Sequence, residues 1–157
     1  MSDLDKLFGD FDTRKQEEKD AKEAKTSKAR QLKDETIAIL ESVVRPTLKE
    51  LSEAIAAKGH RAEVRERFAN YSYPSVGLAF YPKTTSEFDY PSESTINFQH
   101  TDSGHIKIEQ KIQSSDRNKR SDYSDYSTNG QWALATVSQD KVRERVLQFI
   151  EAVLKAN

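Results

Sequence analysis

The chain has no cysteine. That removes disulfides, thiolate nucleophiles and cysteine-ligated zinc from the ways it could be stabilised or could react. Glycine is scarce, five in 157 residues, so little backbone is available to wrap closely around a phosphate or a cofactor. No Gly-rich loop follows a strand-like run, no serine sits in a G-x-S-x-G turn, and no H-E-x-x-H pair occurs. No stretch approaches the roughly 18 apolar residues of a membrane-crossing helix. The opening Met1-Ser2-Asp3-Leu4-Asp5 lacks the basic and apolar regions of a secretion signal, so the expectation is a cytoplasmic protein with no membrane contact. An excess of one charge is also lacking. With 25 basic and 26 acidic residues the net charge is −1, and attraction to nucleic acid or an anionic surface would need a local patch.

What the chain does have is concentrated charge near its start. Of residues 12–35, eight are basic and seven acidic, and Leu32 is the single large apolar side chain. Such a segment cannot build a core. Ala21, Ala24 and Ala29 favour helix, and Glu18 and Lys22 stand at a favourable i, i+4 spacing. Lys22, Lys25 and Lys28 repel one another at i, i+3. A helix polar on all sides either bridges solvent or is unstable, so a fraying extension of the next helix, or disorder, is expected. Ahead of it, Leu4, Leu7, Phe8 and Phe11 fall on one helical face within residues 4–11, interrupted by Gly9 at a cost of about 1 kcal/mol relative to alanine. So short an amphipathic motif would become helical on a partner's groove, dock on its own protein or a second copy, or fray.

The body follows as a single α+β domain, residues 34–157, after an arm of residues 1–33. Ile37, Leu40, Val44, Leu48, Leu51 and Ile55 recur at steps of three and four, predicting a helix over 34–58 with a kink at Arg45-Pro46. The same spacing suits a short dimer seam, but it covers fewer than three heptads and fits core packing better. Gly59 is the expected C-terminal cap, with His60 against the last carbonyls.

Period-two alternation then takes over. Residues 61–68 turn Ala62, Val64 and Phe68 inward; the next strand turns Val76, Leu78 and Phe80 inward, between Pro74 and Pro82. A polar loop over 83–93 carries Phe88, Tyr90 and Pro91, and a third strand carries Ile96 and Phe98. A hairpin turn at 100–105 leads to a strand with Ile106, Ile108 and Ile112 inward. Residues 114–130, rich in Ser, Asp and Tyr, read as a long loop closed by Asn129-Gly130, before a strand over 131–137 that buries Trp132 and Leu134. Ser138 caps a last helix over 139–156 with the stripe Val142, Val146, Phe149, Ile150, Val153 and Leu154. Short connections favour hairpins, so the fold class is α+β: a two-layer sandwich in which both helices cover one face of a four- to five-stranded antiparallel sheet.

In topology alone this order is similar to double-stranded RNA-binding domains. Domains of that type carry a run of lysines at the start of the last helix, where this chain has Ser138-Gln139-Asp140-Lys141-Val142-Arg143-Glu144-Arg145. Its mixed charge gives little support to a phosphate clamp.

Two surfaces are candidates for binding. One is the motif Leu4, Leu7, Phe8 and Phe11. The other is the uncovered sheet face, where alternation gathers Arg61, Arg65, Arg67, Tyr81, Asn97, Gln99, His105, Lys107 and Lys111 around the small residues Gly77, Ala79, Ala133 and Ala135. Basic groups around small ones suit a phosphate or an acidic peptide, and are equally ordinary on a solvated face. His100 and His105 flank a turn with Asp102 at its tip, a pattern open to metal binding but short of a firm third ligand. The Ser/Tyr segment beside Arg117, Lys119 and Arg120 reads as a loop that is either merely mobile or open to modification or binding.

No catalytic set, metal site or cofactor is expected. The leading expectation is a non-catalytic interaction protein whose partner is another protein or its own second copy. The alternatives are a nucleic-acid or phosphoryl-ligand binder using the basic sheet face, and a small enzyme with a pocket around Tyr81, His105 and the carboxylates Glu87, Asp89 and Glu93.

Overall fold

One unbroken helical run fills the first third of the chain. In a computed structural model, which describes residues 2–68, 70–83, 92–114 and 125–157 (125–129 by backbone alone), helix α1 spans Asp3–Ile39. The charged segment is thus a full helix rather than a frayed one. Ser2 caps it by accepting a hydrogen bond from the Asp5 amide at 3.3 Å, and Asp3 and Asp5 complement the positive end of the helix dipole. The side-chain contacts along it are local, Lys15 to Glu18 at 3.4 Å and Gln16 to Asp20 at 3.0 Å, and no Glu18–Lys22 pair forms. Residues 2–31 are exposed throughout.

The expected kink takes a different form. A π-helical turn, Leu40–Val44, joins α1 to α2, Arg45–Ala57. The Arg45 amide bonds back five residues to the Leu40 carbonyl. Pro46, in the first turn of α2, has no amide proton, and its ring would crowd the carbonyl four residues earlier; a widened turn just before it relieves both problems. Leu40, Val44, Leu48, Leu51 and Ile55 still reach the core. The run ends at Gly59, in the left-handed region at φ 88°, with its amide bonded to the Ala56 carbonyl at 3.0 Å.

The five strands form an antiparallel meander in sequence order: β1 Arg61–Arg67, β2 Ser75–Tyr81, β3 Ser94–His100, β4 His105–Ile112 and β5 Asp125–Ala133. Helix α3, Gln139–Ala156, returns across the same face as α2, capped by Ser138, whose hydroxyl accepts from the Lys141 amide at 3.2 Å. The fold is the α+β two-layer arrangement. Its core lies between one sheet face (Val76, Leu78, Phe80, Ile96, Phe98, Ile106, Ile108) and the two helices, with Val142, Val146, Phe149 and Val153 from α3. Each such buried Leu or Phe contributes roughly 1.5–3 kcal/mol of hydrophobic stabilisation.

Three local expectations are corrected. The fifth strand begins at Asp125, well inside the segment read as a loop, and ends at Ala133; Leu134–Thr136 is a 3-10 turn that takes Ala135 off the sheet face. Gly130, at φ 93°, is not a turn residue but lies where the β4–β5 register shifts between Lys107 and Glu109, one residue of β5 being extra. The Leu154 side chain is about half exposed rather than in the core. His60 does meet the last carbonyls of α2, through its backbone amide, which donates to the Ile55 carbonyl at 3.4 Å; its ring turns away, Nδ1 accepting from the Lys83 amide at 3.0 Å while the ring lies against Phe80. The loop residues Glu87, Phe88, Asp89, Tyr90 and Pro91, and 115–124 of the Ser/Tyr segment, lie outside the described residues.

Candidate interaction surfaces

At the tip of α1, Leu4, Leu7, Phe8 and Phe11 stand 58%, 65%, 60% and 46% exposed. Helical spacing puts them on one side of the rod, with Asp3, Asp5, Asp10 and Asp12 around them. Among the described residues Phe11 contacts only its own helix, the Arg14 guanidinium and Lys15 ammonium each lying 5.6 Å from its ring centre. The rod is anchored at its other end. Leu32 packs over the β3–β4 turn, its Cδ2 lying 3.0 Å from where a Cβ on Gly104 would sit. Four residues on, the Thr36 hydroxyl donates to the Leu32 carbonyl at 2.8 Å and lies 3.0 Å from His100 Nδ1. Its single proton being used, Thr36 accepts from His100, which fixes the imidazole with its proton on Nδ1.

His100 therefore belongs to the core side of the sheet. Burial lowers its pKa below the usual histidine value, partly offset by Asp102. His105 lies on the other face with Nδ1 3.1 Å from the Ser103 hydroxyl, and Asp102 accepts from the Tyr73 hydroxyl at 3.1 Å. His100 pairs across the hairpin with Ile106, not with His105. The three candidate metal ligands do not converge, and among the described residues no cluster of such side chains is disposed to hold an ion.

The open sheet face is built in cross-strand rows. Arg67, Ser75, Gln99 and Lys107 form one row; Arg65, Gly77, Asn97 and Glu109 the next; Glu63, Ala79, Thr95 and Lys111 the third; Arg61 faces Tyr81 at the end. Register thus brings together the basic residues named from alternation, but interleaves them with carboxylates. Arg65 holds Glu93 with both terminal nitrogens, at 2.8 and 2.9 Å, and donates to Glu63 at 2.9 Å and to the Tyr81 hydroxyl at 2.7 Å. Tyr81 in turn donates to Glu93 at 2.6 Å. The hydrogen bond from Arg65, reinforced by Tyr81, holds Glu93 below the ordinary carboxylate range; Tyr81 is raised first by burial and then by its bond to Glu93. Arg61 pairs with Glu63, and Lys107 with Glu109. Arg67 has a ring partner in Tyr71, 5.8 Å away, and Lys111 has no ion pair among the described residues.

Nor is the stripe of small residues open on β2, although Ala133 is exposed. Ala79 is fully buried, and a Cβ on Gly77 would meet Asn97 Oδ1 at 2.7 Å and the Ile96 carbonyl at 2.8 Å. Glycine is required there by the neighbouring strand, which leaves no space for a ligand. The hollow above it, lined by Arg65, Arg67, Gly77 and Asn97, holds about 140 Å³, below the roughly 300 Å³ of a small-molecule site. Tyr81 and His105 stand at opposite ends of the sheet, so no pocket joins them.

One surface escaped sequence reasoning: an apolar groove of about 240 Å³ between α2 and α3, lined by Leu51, Ala54, Ile55, Leu147, Ile150 and Leu154. Leu147 and Leu154 are 49% and 48% exposed. The signal was present, since Leu147, Ile150 and Leu154 make a second stripe at i, i+3 and i+7 beside the core stripe of α3.

Among the described residues no helix is long and apolar enough to cross a membrane. The chain matches no protein-family model, and neither a curated protein nor a solved structure proves similar to it.

Proposed function

We propose that the chain is a non-catalytic interaction protein: a small α+β body that carries a protein-binding motif, Leu4, Leu7, Phe8 and Phe11, at the end of a helical arm. The single observation behind this reading is the placement of four large apolar side chains on a solvated helix tip where, among the described residues, nothing outside their own helix touches them. Isolated exposed apolar residues are ordinary, but four on one helical face match the spacing by which a helix docks in a groove. The partner is a protein, either of another kind or a second copy, and the cytoplasm is the setting that a cysteine-free chain suits. A nucleic-acid role for the sheet face has less support, because three carboxylates, Glu63, Glu93 and Glu109, sit among its cations and occupy Arg65 and Lys107.

The test is truncation. Residues 2–31 are exposed and Leu32 is the first to touch the body, so removing residues 1–30 is expected to leave the unfolding transition of the body in place and to abolish partner capture. A truncated chain that retains every partner of the full chain would overturn the reading.

A further inference from the structure

The structure assigns an occupant to the groove between α2 and α3: we infer that it receives the Leu4–Phe11 motif of a second copy, and that the chain is a reciprocal dimer joined by two such contacts. This rests on the reading of the arm as a binding element and names its partner.

Three observations carry it. The first is chemical match. The groove walls are almost wholly apolar, and the motif offers four apolar side chains on one helical face. The second is charge. The motif is flanked by Asp3, Asp5, Asp10 and Asp12, with Lys6 as the single cation. The groove ends at Lys58, where the Lys83 ammonium lies beside Gly59, and neither lysine is ion-paired among the described residues. An acidic helix tip against a groove mouth with two available ammonium groups is complementary. The third is reach. From Phe8 to the π-turn at Leu40 the helix rises on the order of 50 Å, and the groove begins two turns of α2 beyond that. A bend short of complete reversal at the π-turn leaves a chain's own motif tens of ångströms from its own groove, on the order of the helix length itself. A chain's own arm therefore does not fill its own groove.

The area needed selects a closed arrangement over a chain of head-to-tail contacts. Four side chains of this size bury roughly 400–500 Å² per arm, and about as much on the groove side. One docking therefore falls below the ~1,200 Å² of a stable interface, while two reciprocal dockings reach the ~1,600 Å² of a standard one. A two-fold arrangement makes both contacts at once, with the arms antiparallel and crossing near Leu32, and it leaves no unfilled site to propagate a fibre.

The absence of cysteine makes the test direct. Phe8→Cys and Leu147→Cys alter side chains on the surface, so neither substitution disturbs the core. Full-length chains carrying one substitution each are mixed at tens of micromolar and oxidised. The expected result is a disulfide between position 8 of one chain and position 147 of the other, formed at least tenfold faster than a link between two chains carrying Phe8→Cys. Light scattering of the unmodified chain is expected to give twice the monomer mass, and Leu7→Asp with Phe8→Asp, or Leu147→Asp with Leu154→Asp, to return it to monomer. A monomeric unmodified chain, or position 8 linking mainly to position 8, overturns the inference. If the chain is monomeric yet the arm is still needed to retain a foreign protein, the dimer falls and the binding arm stands. If the Asp substitutions in the arm change neither mass nor retention of any partner, both fall.

Discussion

The two ends of the chain carry helices with similar apolar residues and opposite fates. In α3, Val142, Val146, Phe149 and Val153 repeat at three and four and are fully buried; in α1, Leu4, Leu7, Phe8 and Phe11 repeat in the same way and stand in solvent. Local pattern is equal in both. What differs is the chain between: α3 is delivered onto the sheet by a short connection from β5, whereas the motif is held off by a rod whose charges, mixed and nearly balanced, can pack on nothing. Amphipathic spacing thus states that a face wants burial, and the length of polar helix behind it decides whether the same molecule can supply it.

Phenylalanine truncation is the sharpest way to test that contrast. Phe98→Ala removes a fully buried ring at the centre of the sheet that also meets Trp132 at 5.8 Å, and is expected to cost about 3–5 kcal/mol in denaturant unfolding. Phe8→Ala is expected to change the stability of the isolated monomer by less than about 0.5 kcal/mol. A large loss at Phe8 in the monomer would mean that the arm packs on its own body.

Glycine gives the second comparison. Gly77→Ala forces a methyl group against the Ile96 carbonyl, which is backbone and cannot swing aside, and should destabilise by roughly 1–3 kcal/mol. Gly9→Ala meets nothing within 4 Å and should instead favour the helix, by about 1 kcal/mol at that position, seen as a rise in helical circular dichroism. A loss of helix signal in Gly9→Ala would show that the tip is not helical in solution.

These contrasts also show how far the sequence could be read. The inward sets of β2 and β4 follow from period-two alternation alone; the four rows of the open face need the strand register as well, and alternation did not show that β2 is buried on both sides up to Phe80. Parity also separates the two histidines of the hairpin: His100 shares a face with Ile96 and Phe98, and His105 lies on the other face from Ile106 and Ile108. The start of β5 was hidden because Asp125-Tyr126-Ser127-Thr128-Asn129 has turn chemistry, and its strand conformation comes from pairing with β4. The π-turn was hidden for another reason: Leu40 and Val44 keep their spacing across it, and only the missing amide of Pro46 hinted that a turn must widen. The neutralised sheet face could not be foreseen either, since the bond from Arg65 on β1 reaches Glu93, just ahead of β3 and 28 residues away in sequence. The groove was legible in part, as the second stripe on α3, but the matching wall on α2 emerges only from packing.

Between arm and body stands His100, and its titration tests the joint. Burial holds its pKa below the unfolded value of about 6.5, so the fold favours the neutral ring. The sign follows: the contribution is complete above about pH 6.5, and it is lost as pH falls through the lowered folded value, where the unfolded chain binds the extra proton. Unfolding midpoints are expected to drop more steeply below that pH in the parent chain than in His100→Gln, which keeps a hydrogen-bonding group near Thr36 but cannot titrate. Equal slopes would mean that the ring is already solvated and the root of the arm is loose.

The last comparison concerns the face that looked most like a binding site, where the expected loss is small. Arg65→Ala releases Glu93, Glu63 and Tyr81 together, but the pair is more than a third exposed. Solvent screening therefore limits the loss to about 0.5–1 kcal/mol, shrinking further at high salt. Charge is the more informative readout. If the face served a phosphate-bearing ligand, Arg65→Ala would lower affinity by a salt-dependent factor; if it is a self-satisfied mesh, the released carboxylates leave it more acidic and nothing else changes. The difference between arm and sheet face then reduces to one property. Among the described residues the apolar side chains of the tip meet nothing beyond their own helix, while the arginine on the edge strand β1 already has four hydrogen bonds, at 2.7 to 2.9 Å, and little left to offer.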